Sequence, residues 1–332
     1  MSKKQTHVLC IGAIYIDTIL TVPHFPSEDS KLRAKKLTKR RGGNTANTLE
    51  VLQQLMLHTD KQSAVPATLH LCAVLPDHDS PARAFIAASL PNIDIDSTSI
   101  SRPGVPDAAS SYILLNEQNS SRTIVSSQPL CEMTAAEFET KVRGIVAQQR
   151  WGDAWVHFEG RVPEVALQCV RFLRRACPGF RVSVECEKPE RRGLEEVARL
   201  ADVVFYSKLW AVENGFGDAR RFLQDQLKGA KEGALLICTW GAGGAVAVEE
   251  VGAGVRWAEV KGWMPEDEER PVVDTIGAGD TFIAGMLYAL NGGRDGWDLQ
   301  AQISFANELA GRKVRQEGFG GLGQQIMSRF SD

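Results

Sequence analysis

The chain has 332 residues, a formal net charge of −3 and 43% apolar residues. That length suits one large α/β domain or two small ones, and the apolar share is ordinary for a globular protein. The near-neutral charge carries no nucleic-acid footprint and no apolar run is long enough to span a bilayer, so neither nucleic acid nor a membrane is an expected partner.

Taken in chain order, the stretch 1–6 leads straight into a strand-like run at 8–11. It lacks the length and cleavage site of a signal peptide. The seven cysteines show no CxxC or Cys/His spacing, and Cys10, Cys72, Cys186 and Cys238 lie inside apolar runs. They read as buried thiols, which points to a cytoplasmic location and away from a zinc site. Residues 13–40 read as extended and then charged, without a helix. A glycine turn, Arg41-Gly42-Gly43-Asn44-Thr45-Ala46-Asn47, opens a helix over 44–57, with Ala46, Leu49, Leu52 and Leu55 on one face. A strand at 69–75 and a helix at 82–90 follow. Residues 110–116 and 122–127 read as a β-hairpin closed by the polar turn 117–121.

Beyond the hairpin, helices at 135–148, 164–176, 194–200 and 219–227 alternate with strands at 155–158, 182–186, 203–206 and 235–239. Alternation of this kind argues for βαβ units and a mostly parallel sheet with helices on both faces. Ligands of such sheets bind beyond the carboxyl ends of the strands. Segments 13–42 and 103–127 break the pattern and read as a small β-sheet lid within one domain spanning 1–332; ordinary edge hairpins would read the same way. The acidic loop 266–269 reads as a solvated turn.

The densest signal is Asp274-Thr275-Ile276-Gly277-Ala278-Gly279-Asp280-Thr281-Phe282, which runs into an apolar helix to Leu290. Glycines let the backbone approach a ligand closely, and the first N–H groups of a helix form a site for phosphate or a developing oxyanion. A carboxylate there can take a proton from an attacking hydroxyl, and the two together are what phosphoryl transfer to an alcohol requires. The same residues also suit a plain tight turn with an Asp N-cap. Phe282, Ile283, Met286, Leu287, Tyr288 and Leu290 cover most faces of the helix, so Asp280 is expected near the interior.

Other polar residues need a reason. Asp17 alternates with Ile14 and Ile16, which turns it towards a cleft. Asn44 suits an N-cap, whereas Asn47, one turn on, needs another role; two amides and a carboxylate match the hydroxyls of a polyol. Arg122 starts the second hairpin strand, within reach of a phosphate. Taken singly, each reads as structural rather than functional, and their value lies in combination.

These residues resemble the ribokinase-like sugar kinases, the pfkB family. The stretch from Asp274 to Leu287 is similar to the family's C-terminal signature, and the turn from Arg41 to Asn47 to its N-terminal glycine motif. Within the family the resemblance is closer to the ketohexokinase branch, the hepatic-type fructokinases. It is carried by Glu28-Asp29-Ser30, Ser121-Arg122-Thr123-Ile124, His157-Phe158-Glu159-Gly160-Arg161, the run from Val182 to Pro189, Gly318-Phe319-Gly320-Gly321 and Trp240. The resemblance implies a ribokinase-like three-layer α/β/α fold with a small β-sheet lid. It also implies ATP-dependent phosphorylation of a sugar hydroxyl with Mg2+, D-fructose to fructose 1-phosphate first. Ribose, a nucleoside or a modified sugar is the alternative acceptor, and a silent sugar or nucleotide sensor is the alternative of another class.

Carried over by resemblance, Asp280 is the base, and the backbone of Gly277, Ala278 and Gly279 is the anion hole. Asp17, Gly43, Asn44 and Asn47 hold the sugar, and Arg122 lies near the sugar and the transferring phosphoryl group. Asp29 resembles a lid residue presented to a partner subunit, which implies a homodimer through the lid. Trp240, Gly241, Ala242, Gly243, Gly244, Trp263 and Pro265 border the nucleotide, with Asn307 near the adenine. The chain departs from many family members at Ser207-Lys208-Leu209-Trp210, which replaces an Asn-x-x-Glu motif that helps to organise magnesium. Glu185 and Glu187 are the candidates for that task, acting through water.

Overall fold

Apolar residues fill both faces of the central strands, and each strand sends alternate side chains into two separate cores. Val8 and Cys10 enter one core with Val203, Phe205, Leu235 and Ile237. Leu9 and Ile11 enter the other with Val204, Tyr206, Leu236 and Cys238. The computed structural model describes residues 6–59, 67–119, 121–148, 151–252, 254–265, 271–292 and 296–330, so the acidic loop 266–269 lies outside the described residues.

Among the described residues the large sheet has eight strands. From one edge to the other they are Gly254–Val260, Ala245–Val251, Leu235–Thr239, Val203–Tyr206, Arg181–Cys186, Asp153–Phe158, Thr6–Ile11 and Ala67–Cys72. The last six are parallel, and the first two form an antiparallel hairpin on one edge. A second sheet of four strands has the order Lys36–Gly42, Tyr15–Val22, Ser110–Asn116 and Arg122–Ser127. It is built from the two segments that break the alternation in the sequence.

The strand expected over 69–75 ends at Cys72. Ser99 takes the N–H of Ala73 through its hydroxyl at 3.3 Å, and the N–H of Ile100 bonds the Ala73 carbonyl at 2.9 Å. Val74–Leu75 thus leaves the large sheet to pair with Ile100–Ser101. The edge hairpin and the helix Leu299–Lys313 are additions to the sequence reading.

The helices Asn44–Leu57, Ala278–Leu290 and Leu299–Lys313 share one core face. Contact between the last two is close because Gly285 faces Ala306: a Cβ on Gly285 would lie 2.8 Å from the Ala306 Cα. Overpacking there has to push apart the helix that carries Asp280. Gly285→Leu is expected to lower stability by about 1–3 kcal/mol, read as a lower urea midpoint at unchanged slope. An unchanged midpoint would mean that these helices do not constrain one another.

Candidate active site

The helix Ala278–Leu290 begins at Gly277, which has φ 76° and leaves the helix end without a side-chain cap. Glycine is required there twice over: φ lies in the left-handed region, and a Cβ would overlap the Phe319 ring. The preceding turn is tied down by Asp274, which accepts from the Ile276 N–H at 3.0 Å and from Lys313 Nζ at 2.9 Å. Lys313 also donates to the Asp274 carbonyl at 3.0 Å, is 0% exposed and sits over Phe319. Partial burial alone would raise the Asp274 carboxyl; Lys313 and the N–H of Ile276 outweigh it and hold it below the usual carboxylate range. The space beside Gly279 is open. The Ala278 N–H bonds the Thr275 carbonyl at 3.3 Å, but no side chain caps the helix start, and such an end suits an anion.

Asp280 is 4% exposed, and Asn47 Nδ2 donates to its Oδ2 at 2.7 Å. Burial pushes this carboxyl up to about 7; the Asn47 hydrogen bond opposes the rise, and the charges of Glu159 and Glu187 add to it. Glu185 stands well above its ordinary range, through burial first and then the charges of Asp280, Glu187 and Glu159. Asn44 is not the N-cap that the sequence suggested, since Gly43 holds that position. Instead Asn44 Nδ2 reaches Glu185 Oε2 at 3.4 Å and Glu187 Oε2 at 3.3 Å.

Among the described residues no three acidic, His or Cys groups converge as a complete metal site. Two carboxylates crowded against one amide nevertheless fit Mg2+, which takes one or two carboxylates, keeps several waters and completes its shell on phosphate.

These groups open onto one cleft of about 730 Å³ at the carboxyl ends of the central strands. Its lining includes Asp17, Gly43, Asn44, Arg122, Glu185, Glu187, Gly277, Ala278, Gly279 and Asp280. The small sheet supplies one wall. Asp17 stands in register with Arg40 and Ser111 on neighbouring strands, with Arg40 Nε at 3.7 Å from Asp17 Oδ2. Burial raises the Asp17 carboxyl, and Arg40 opposes the shift.

Some of the expected residues lie elsewhere. Asn47 does not line the cleft: it is 6% exposed, between Asp280 and Arg41 Nη1, which donates to Asn47 Oδ1 at 2.8 Å. Asp29 is exposed on the connection between two strands of the small sheet, with φ 58°. Trp240, Gly241, Ala242, Gly243 and Gly244 follow the strand Leu235–Thr239, whose last residue lines the cleft. A Cβ on Gly262 would overlap the Ala242 carbonyl, Asn307 Nδ2 holds the Lys261 carbonyl at 2.8 Å, and Trp263 packs on Gly311. Pro265 is half-buried just beyond. These residues form one group beside the cleft.

Sequence reasoning gave no role to Arg41 or Glu159. Glu159 is buried, accepting from the Ala13 N–H at 2.9 Å and the Thr45 hydroxyl at 3.0 Å. The available signal was position: a charge that ends an apolar strand, and a charge that enters a glycine turn.

A model of the pfkB family carbohydrate kinases matches residues 5–322. The chain is 30% identical to ketohexokinase of Mus musculus over 331 residues, which is 97% of this chain and 100% of that protein. Arabidopsis thaliana ribokinase, solved with ribose and ATP, superposes with a TM-score of 0.72 at 16% identity over 98% of both chains. Ribokinase from Cryptococcus neoformans var. grubii serotype A, solved with ADP, gives 0.66 at 16% identity over 98% of this chain and 99% of that one. The fold is therefore ribokinase-like.

The Asp274 anchor carries an acid dependence. Its folded pKa is depressed, so its contribution is present above the ordinary aspartate value of about 3.9 and is lost as pH falls through the folded value. Asp274→Asn is expected to flatten that part of the stability profile, measured by denaturant unfolding between neutral and acid pH. An unaltered acid slope in the variant would show that the ion pair adds nothing.

Proposed function

Because the chain belongs to the pfkB family of carbohydrate kinases, we propose that it transfers the γ-phosphoryl group of ATP to a sugar hydroxyl, with D-fructose the acceptor and fructose 1-phosphate the product. The observation that carries this reading is Asp280 beside an uncapped helix N-terminus, in one cleft with Asp17. The choice of fructose draws its support from the likeness to the mouse ketohexokinase over the whole length.

In this reading Asp280 accepts the proton of the attacking hydroxyl as the new O–P bond forms. The bond from the γ-phosphorus to the bridging oxygen breaks, and ADP leaves. The amides of Gly277, Ala278 and Gly279 hold the phosphoryl oxygens, where oriented donors act most strongly on developing charge. Arg122 adds a cation from the small sheet. Asp17, Gly43 and Asn44 orient the sugar. Trp240, Gly241, Ala242, Gly243, Gly244, Trp263, Pro265 and Asn307 border the nucleotide. When bound, Mg2+ supplies countercharge to the phosphates, and Glu185 and Glu187 hold it through water. The small sheet acts as a lid within one domain and keeps water, the competing acceptor, from the phosphoryl group.

The outer face of that sheet supports a homodimer in this reading. Leu37, Tyr112 and Val125 are exposed there, on the face opposite Asp17 by the register of the strands. A second copy covering this face brings Asp29 to its partner's site. Sedimentation at micromolar concentration should show a dimer, and Tyr112→Asp with Val125→Asp should give a monomer. A monomeric wild-type chain would remove this part of the reading.

The activity is tested by ATP consumption with magnesium against fructose, tagatose, ribose, glucose, adenosine and no sugar, with the phosphorylated carbon read by NMR. Asp280→Asn is expected to lower turnover by about 10²–10⁴ with sugar binding retained, whereas Asp17→Ala weakens sugar binding. Wild-type turnover should fall as pH drops below about 7, because a protonated Asp280 cannot accept the proton. Full turnover of Asp280→Asn would exclude it as the base, and turnover confined to another acceptor would move the substrate and keep the mechanism.

A further inference from the structure

We infer that Arg41 is a positioning residue: it fixes which way round the Asn47 amide sits, and so holds Asp280 with its second oxygen turned to the cleft. This rests on the reading of Asp280 as the base. A side-chain amide has one accepting and one donating end. A guanidinium only donates, so Arg41 Nη1 at 2.8 Å requires the oxygen of Asn47 on its side. The nitrogen then faces Asp280 Oδ2 at 2.7 Å, and an ionised carboxylate only accepts. Turning the amide over would set NH2 against guanidinium and oxygen against carboxylate, so the orientation is decided by chemistry.

Arg41 is itself unable to drift. It is 8% exposed, its Nη1 is held by Asn47 and its Nη2 is paired with Glu50. Arg41 lies in the small-sheet strand Lys36–Gly42, Asn47 and Glu50 on the helix Asn44–Leu57, and Asp280 on the helix Ala278–Leu290. The chain of bonds therefore ties three elements to one carboxylate. Among the described residues, Asp280 Oδ1 has no hydrogen-bond partner, which leaves it to the acceptor hydroxyl. Neither Arg41 nor Asn47 lines the cleft, so their effect on a sugar passes through Asp280.

A double-mutant cycle tests this. Arg41→Met is expected to lower kcat by about 10²-fold, the scale of a misplaced reacting group, with the sugar KM changed by no more than about threefold. Arg41→Lys should recover part of the loss. In an Asp280→Asn background the Arg41→Met change should add almost nothing, because the group it positions is gone. A loss of the same size in both backgrounds, or wild-type kcat in a folded Arg41→Met protein, overturns the inference. Should Arg41→Met fail to fold, Asn47→Asp keeps the shape and the acceptor for Arg41 while removing the donor to Asp280. It should show a kcat loss of the same order, and unaltered kcat there also overturns the inference. Full turnover of Asp280→Asn would instead sink the base reading itself, and the two failures are told apart by that single variant.

Discussion

Keeping carboxylates ionised where water has been removed is the constraint on which the rest of this cleft depends. A buried carboxylate neutralises unless donors or cations compensate it. Glu159, Asp280 and Glu185 are all buried, and the protein treats each differently. Glu159 receives a backbone N–H and a hydroxyl, both at ordinary hydrogen-bond lengths. Asp280 receives one short amide bond with a guanidinium behind it. Glu185 has only one long contact, from the Asn44 amide, which also reaches Glu187. In the reading proposed above, that ranking would set Glu159 apart from the proton acceptor Asp280, and both apart from a pair that a cation would complete.

The scaffold gathers these groups by register. Ile11 pairs with Phe158 and Phe158 with Val184 across the parallel strands, so Gly12, Glu159 and Glu185 reach the same edge of the sheet. Gly12 is constrained by what stands there: a Cβ would overlap the Thr45 hydroxyl and the Glu159 carboxylate. On the other side, Thr48 donates to the Asp280 carbonyl at 3.3 Å, which stitches the two helix beginnings together right beside Asn47. The strand edge brings the charges and the helix pair sets their spacing.

Much of this could be read in advance. The alternation of strands and helices gave the large sheet, and the breaks at 13–42 and 103–127 gave the small one, because local periodicity decides both. Asp17 turned to the cleft and Asp280 to the interior as side-chain alternation and the apolar helix implied. What could not be read were side-chain relations between separate elements. Nothing local says that Arg41 will meet Glu50 and Asn47 rather than a ligand, or that Asn44 will face Glu185 instead of capping its helix. Likewise Val74–Leu75 continues an apolar run, and only Ser99, far along the chain, takes it out of the sheet.

The glycine motif also has a meaning that the helix dipole alone does not supply. Asp280 sits in the first turn of its helix, where the positive end of the dipole should favour the ionised form. Its carboxyl is nevertheless pushed up to about 7, by burial first and with the charges of Glu159 and Glu187 adding to the rise against the Asn47 hydrogen bond. Among the described residues no side chain caps the amides of Gly277 and Gly279, whereas the Ala278 N–H bonds the Thr275 carbonyl at 3.3 Å. A capping residue in place of Gly277 would spend those donors on the protein and collide with Phe319. The turn thus leaves the helix start without a side-chain cap and its carboxylate only partly compensated, and Lys313 and Asp274 hold it in that state from behind.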